Sequence, residues 1–427
     1  MAKPKLALIP AAQGDKFYSV LPSDGVGDFT FARASTGTRI APTGLIEEVP
    51  SGDSRLNYDL LNGKVVNCPH YILEPASTNL VPNSQDFSSG WTFDDTTITS
   101  NSAISPDGVL NASLLKGNTV SSKHNITINP SLTANVTASF SLFVKAKELK
   151  YIQIASGNST NQYVNFDVSA GYIGSVGSSF SNAKIQNYGN GWYRCSVVSA
   201  NYSGFIISLV SGLTAIWRES WVMPNDTDGL YIYGVQLEQS SYPTSYIPTN
   251  GTAITRAAES ATGSGDAATF NDSEGVLMFE GSNISENNST TISIALSDGS
   301  LSNSISLYYF GAIGLYYDIF NSSGTRSGNI PMTKLQQANN NKIALKYKSQ
   351  DISLFVNGFE LLTNSGTLSL NGLSEVSFDY GNGQLPFYGN TREVQYFDSA
   401  LTDAQLETLT SWTSLQEMIT SQLYTNY

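Results

Sequence analysis

The stretch YIYGVQLEQSSYPTSYIPTNGTAITR, residues 231–256, decides how this chain is divided. Its opening alternates, which places Tyr231, Tyr233, Val235 and Leu237 on one face of a strand and Ile232, Gly234, Gln236 and Glu238 on the other. It then breaks into Ser, Thr and two prolines, Pro243 and Pro248, so neither strand nor helix continues. Tyr242, Tyr246 and Ile247 punctuate the break and make it a packed, semi-rigid connector. The spacing therefore predicts one β system before this stretch and another after it.

Working outward, composition agrees. Of 427 residues, 40% are hydrophobic, enough for cores, but only 13% are charged, about half the usual ~25%. Ser, Thr, Asn and Gly carry the polarity, alongside 23 Tyr and 19 Phe. This mix suits many short strands joined by turns. A net charge of −13 with no basic stripe argues against nucleic acid and anionic membrane surfaces. No apolar run reaches ~18 residues, so no membrane insertion is expected. The opening MAKPKLALIP lacks the apolar region of a signal peptide. Cys68 and Cys195 read as two isolated, buried thiols rather than a bridge, and no CxxC motif suggests zinc.

The predicted fold class is all-β: two antiparallel β-sandwich (jelly-roll) domains in tandem, an irregular N-terminal segment and a short C-terminal helix. Residues 1–80 read as the irregular segment, which should pack on a neighbouring domain or chain. Residues 81–256 hold about eight short strands with dense turn signals; in 136–146, Val136, Ala138, Phe140, Leu142 and Val144 alternate inward. Residues 257–270, AAESATGSGDAATF, read as a linker. Residues 271–400 form the second sandwich, with Asn357-Gly358 as a two-residue hairpin turn. Residues 401–427 hold the helix, expected over 402–424 from the capping box Thr402-Asp403-Ala404-Gln405. Its stripe Leu409, Trp412, Ile419 and Leu423 either packs on the chain's own sandwich or mediates homo-oligomerisation.

No catalytic constellation stands out. Only His70 and His124 could serve a Ser-His-Asp triad, and no nucleophile elbow, HExxH, P-loop or dinucleotide fingerprint accompanies them. Paired carboxylates for glycoside hydrolysis would come from Asp94, Asp95, Glu238 and Glu280, with a surface or capping role as the alternative. Asp226 and Asp228, in the turn NDTDG, are a calcium candidate without the twelve-residue loop; no other metal or cofactor is expected. For sugar stacking the candidates are Trp91, Trp217 and Trp221, each weighed against a place in the core, while Trp192 reads as core.

Three blocks occur in order: KLALIP…LPSDGVGDFTFARASTGTRI…GLIEEV…ILEPASTNL, then NGWYRCSV, then YGVQLEQSSYPTSYIPTNGTAITRAAE. Together they resemble a family of bacteriophage virion proteins, tail or fibre-type structural proteins with carbohydrate-binding-like jelly-roll modules. DISLFVNGFEL and REVQYFDSALTDAQLETL in the second sandwich resemble concanavalin A-like, laminin-G-type domains. The resemblance implies a virion structural protein on tail or head, exposed on the particle and assembled in the host cytoplasm. It implies sugar-binding-type folds; on that reading the N-terminal segment is expected to dock to the particle, with other virion proteins as partners, the helix stripe to favour copies of itself, and the modules to meet host-surface glycans. It supplies no catalytic residues, so no enzymatic activity is expected; the alternative is a polysaccharide-depolymerising tail enzyme, a glycoside hydrolase or lyase.

Overall fold

A computed structural model describes residues 2–130, 132, 136–157, 160–200, 204–284, 292–311, 313–331 and 338–412. The chain is all-β, with one helix among the described residues. In the first sandwich a six-stranded sheet runs in the order Thr96–Ile104, Leu110–Gly117, Gly229–Glu238, Ala138–Ala146, Trp192–Ser199, Phe180–Gly189. The facing sheet runs Tyr172–Val176, Tyr163–Asp167, Tyr151–Ala155, Phe205–Leu209, Ser122–Ile128, with two short strands on its last member. Ala138, Phe140, Leu142 and Val144 point into the core between them, as their alternation predicts.

The strand that opens the connector departs from its predicted alternation. Leu230 and Ile232 face the core, and so do Val235 and Leu237. The phase changes at Gly234, whose φ is +60°, where the register against Ala138–Ala146 shifts between Ser141 and Phe143. A bulge inserts one extra residue and turns the following side chains over. Tyr233 thereby faces outward, into an aromatic cluster with Phe143, Trp192 and Tyr246. Tyr246 and Ile247 are both 4% exposed, so the connector is packed down as expected.

The second sandwich faces a five-stranded sheet (Arg326–Pro331, Gly314–Phe320, Ser304–Phe310, Ile292–Ser297, Glu375–Ser377) against an eleven-stranded one. Asn357 and Gly358 make the hairpin turn with positive φ at both residues. The larger sheet overturns two expectations. Residues 1–80 are not irregular: Leu6–Gln13 pairs with Gly389–Phe397, Lys16–Leu21 and Phe29–Ala32 follow, and Lys64–Leu73 joins the same C-terminal strand. Phe17, Phe29, Phe31 and Tyr71 share one core with the second sandwich. Nor is 257–270 a linker, because Ser260–Thr262 forms the outer strand beside Phe29–Ala32 and Ala261 is fully buried. Leu6–Gln13, Lys64–Leu73 and Phe29–Ala32 each have a partner strand hundreds of residues away, so local alternation carries little trace of this sheet.

The helix spans Asp403–Thr410, with the predicted capping box at Thr402 and Gln405. Leu406 packs on the second sandwich and Leu409 lies against the same cluster; Ile419 and Leu423 lie outside the described residues. Cys195 is buried as expected, whereas Cys68 is exposed, and both are free.

The sandwiches are joined by buried charge. Arg55 Nε donates to Glu259 Oε1 at 2.7 Å, and its Nη2 donates to Glu259 Oε2 and to Glu74 Oε2, the latter at 2.8 Å. Arg33 Nη1 reaches Glu259 Oε1 at 2.8 Å, and Arg256 Nη1 reaches Glu74 Oε2 at 2.8 Å. Ser245, from the connector, donates its backbone N–H to Glu74 at 2.8 Å. Burial opposes the charge on Glu74, but Arg256 and Arg55 outweigh it and hold the carboxyl at about 2. Burial lowers Arg33 more than its single carboxylate partner restores, while two carboxylates keep Arg55 above its ordinary value.

Candidate functional site: an aromatic platform tied to one carboxylate

The five-stranded sheet has two unlike faces. Along Ser304–Phe310, Ile305, Leu307 and Tyr309 enter the core; along Gly314–Phe320, Leu315, Tyr317 and Ile319 do the same. Alternation sends Tyr308 and Phe310, and Tyr316, Asp318 and Phe320, to the other side. Tyr308 lies opposite Tyr316 in register, and the rings stack at 5.4 Å. Phe310, 46% exposed, meets Tyr316 edge-on at 5.6 Å. Tyr380 arrives from the segment after Glu375–Ser377 and stands edge-on to Tyr308 at 5.2 Å and to Phe320 at 6.1 Å. Tyr308, Tyr316, Phe320 and Tyr380 are half-buried, so the patch meets solvent.

Asp318 fixes this patch from beneath. It is 8% exposed and accepts hydrogen bonds from Tyr308 Oη at 2.8 Å, from Tyr380 Oη and from Ser327 Oγ. Burial and then the Asp318 carboxylate push both phenols above their ordinary range, so they stay protonated. Each hydroxyl has committed its proton to Asp318 and offers its lone pairs to an outside donor. Asn329, opposite Tyr316 on the next strand, is exposed and adds an amide. Rigid ring faces beside fixed acceptors suit an amphipathic, polyhydroxylated ligand.

No protein-family model matches this chain, and no curated protein matches it. Among solved structures it is similar to the Ruminococcus gnavus IT-sialidase CBM40 bound to α2,3-sialyllactose, at 20% identity and a TM-score of 0.30, over 35% of this chain and 92% of that one. It is similar to a K499G mutant of NanB sialidase from Streptococcus pneumoniae at 15% identity and 0.30, over 34% and 25% of the two chains. Domain 4 of AbnA, a GH43 extracellular arabinanase from Geobacillus stearothermophilus in complex with arabinotriose, gives 16% and 0.28, over 36% and 73%. TM-scores this low fix neither ligand nor activity.

The tryptophans picked from sequence stand elsewhere. Trp91 is 8% exposed and packs on Phe87 at 5.2 Å within the first core, which withdraws its ring from any sugar. Trp221 donates its indole N–H to Leu209 O at 3.1 Å and sits edge-on to His124. Trp217 is half-buried, with the Lys123 ammonium and the Arg218 guanidinium over its ring at 5.5 and 5.2 Å. Trp192 is buried, as expected.

Among the acids, Asp226 is exposed, whereas Asp228 is buried and accepts from Asn225 Nδ2 at 3.1 Å. Among the described residues no three His, Cys, Asp or Glu side chains cluster as metal ligands. Glu238 is buried and takes hydrogen bonds from Ser77, Gln236 and Thr244. Glu280 accepts from Asn340 at 2.6 Å in the other sandwich, and Asp94 pairs with Arg218 at 3.0 Å. Asp95 accepts from Asn118 Nδ2 at 2.8 Å, so Asp94, Asp95, Glu238 and Glu280 each answer to a different partner. The platform escaped sequence reading because Tyr308 and Tyr316 sit among equally apolar neighbours. Only the strand's facing tells them apart, and Tyr380 comes from a loop.

Proposed function

We propose that this chain is a structural, adhesive component of a bacteriophage particle, on tail or head, which displays its sandwiches outward and holds host-surface glycans on the aromatic platform. The observation that carries the glycan reading is the ring array Tyr308, Tyr316, Phe310 and Tyr380 held over Asp318 on a solvent-facing sheet. The virion reading rests on the resemblance of the residue blocks alone. Arg33 and Glu74 from the first block meet Arg256 and Glu259 from the third in one buried cluster, so these two blocks lie together in the fold.

The test is binding of the full chain to an array of bacterial surface glycans, followed by calorimetry on any hit. Losing one stacking ring costs about 1 kcal/mol, so Tyr316→Ala should weaken binding about fivefold, and Tyr308→Phe, which keeps the ring, by less. Tyr316→Ala and Phe310→Ala variants that bind like the parent would refute the platform. Labelling the chain on particles tests the virion reading, and light scattering tests the proposed homo-oligomer.

The alternative, a polysaccharide-depolymerising tail enzyme, has one observation on its side: Asp59 and His70 line a common cleft. Release of reducing ends by the purified chain, abolished by Asp59→Asn, would establish it in place of the adhesive reading.

A further inference from the structure

A cavity of about 250 Å³ opens where the N-terminal hairpin Leu56–Leu61 and Lys64–Leu73 meets both sandwiches. Asn57, Tyr58, Asp59 and His70 come from the hairpin, Arg194 from the first sandwich and Asn390 from the second. We propose that this cleft is a second saccharide site, in which one neutral hydroxyl on the cleft side bridges His70 and Asp59. It lies apart from the platform and does not depend on it.

The hydrogen-bond pattern fixes the chemistry of His70. Ile40 donates its backbone N–H to Asn57 Oδ1 at 2.7 Å, which sets the orientation of that amide. Asn57 Nδ2 then faces His70 Nε2 at 3.1 Å and donates to it. A neutral imidazole with an accepting Nε2 carries its proton on Nδ1. Burial, reinforced by Arg392 and opposed by Asp59 and Asn390, lowers the affinity of His70 for a second proton. His70 is 2% exposed, yet Nδ1 has no hydrogen-bond partner.

The Asp59 carboxylate lies just out of reach. Asp59 Oδ1 is 3.7 Å from His70 Nδ1, while Asp59 Oδ2 is held by Arg392 Nη2 at 2.6 Å. Across the cleft, Arg194 Nε is also buried and unpaired, although its Nη2 donates to Ser141 and Thr244. A buried N–H without an acceptor costs about 1–3 kcal/mol, so a native structure tends to fill such a place. The group that fits must accept from His70 and donate to Asp59. A hydroxyl does both. A carboxylate would face Asp59 with like charge, and an ammonium would face the Nδ1–H with a second donor. The half-buried ring of Tyr58 lines the same space and offers a surface to the apolar side of a sugar. The volume is near the lower end of ligand pockets, ~300 Å³, which suits one monosaccharide unit.

The chain has two histidines, His70 and His124, so imidazole nitrogen resonances of ¹⁵N-histidine-labelled full-length protein report on the cleft directly. The probes are the methyl glycosides of galactose, glucose and mannose, with glucuronate as the charged control. At least one neutral glycoside should shift the His70 Nδ1 resonance saturably at millimolar concentration and leave His124 in place. Glucuronate should bind about tenfold more weakly. His70→Asn, which keeps an N–H, should retain that binding, whereas His70→Phe should lose about tenfold in affinity. Tyr316→Ala should change nothing here, which separates this site from the platform. No shift of His70 with any glycoside would mean that water alone occupies the gap and would overturn the proposal, as would equal binding of glucuronate.

Discussion

Glu259→Gln is the most informative single change in this protein. Glu259 Oε1 accepts from Arg33 Nη1 and Arg55 Nε at 2.8 and 2.7 Å, and Oε2 accepts from Arg55 Nη2 and from the backbone N–H of Glu74. Both guanidiniums and the carboxylate are fully buried. An amide keeps one acceptor and turns an NH₂ toward groups that are themselves donors. It also removes the negative charge shared by two buried cations. Breaking a buried pair from one side costs about 3–5 kcal/mol, so a loss of about 4 kcal/mol is expected.

Guanidinium unfolding followed by tryptophan fluorescence reads this loss, and hydrogen exchange locates it at Phe29–Ala32 and Ser260–Thr262, which should open first. The double variant Arg33→Met/Glu259→Gln removes one charge of each sign and should recover part of the stability, giving a coupling of about 1–3 kcal/mol. Acid provides a second arm. Glu74 falls from 4.5 unfolded to about 2 folded. Its contribution, about 3 kcal/mol, is therefore complete above pH ~4.5 and is lost as pH falls through 2. A Glu259→Gln loss below about 1 kcal/mol, in the range of an exposed pair, would refute the view that this network joins the sandwiches.

Two other outcomes follow from packing. A Cβ on Gly63 would lie 2.5 Å from Gly189 Cα, at a φ of +74°, where the N-terminal hairpin touches the first sandwich; Gly63→Ala should cost about 2 kcal/mol, measured by the same unfolding assay. In a thiol titration of the native protein Cys68 should react at once, while Cys195, buried and with its thiol pushed up by desolvation, should react only on unfolding.

The sequence by itself determined what local rules govern. The alternation of Ala138, Phe140, Leu142 and Val144, the Asn357-Gly358 turn and the Thr402 capping box can all be read from residues a few positions apart. It was silent or misleading where the deciding partner is distant in the chain. Residues 1–80 looked irregular because Leu6, Phe17 and Tyr71 complete a sheet begun near residue 274, and 257–270 looked like a linker because its strand pairs with Phe29–Ala32. The platform and the cleft belong to the same class. Tyr308 faces out and Tyr309 in only because the sheet has another sheet on one side. The His70 Nδ1–H has a defined task only because Asn57, Asp59 and Arg392 reach it from other strands. Alternation along a strand specifies that two faces differ, but which face meets solvent is fixed by what packs against the other.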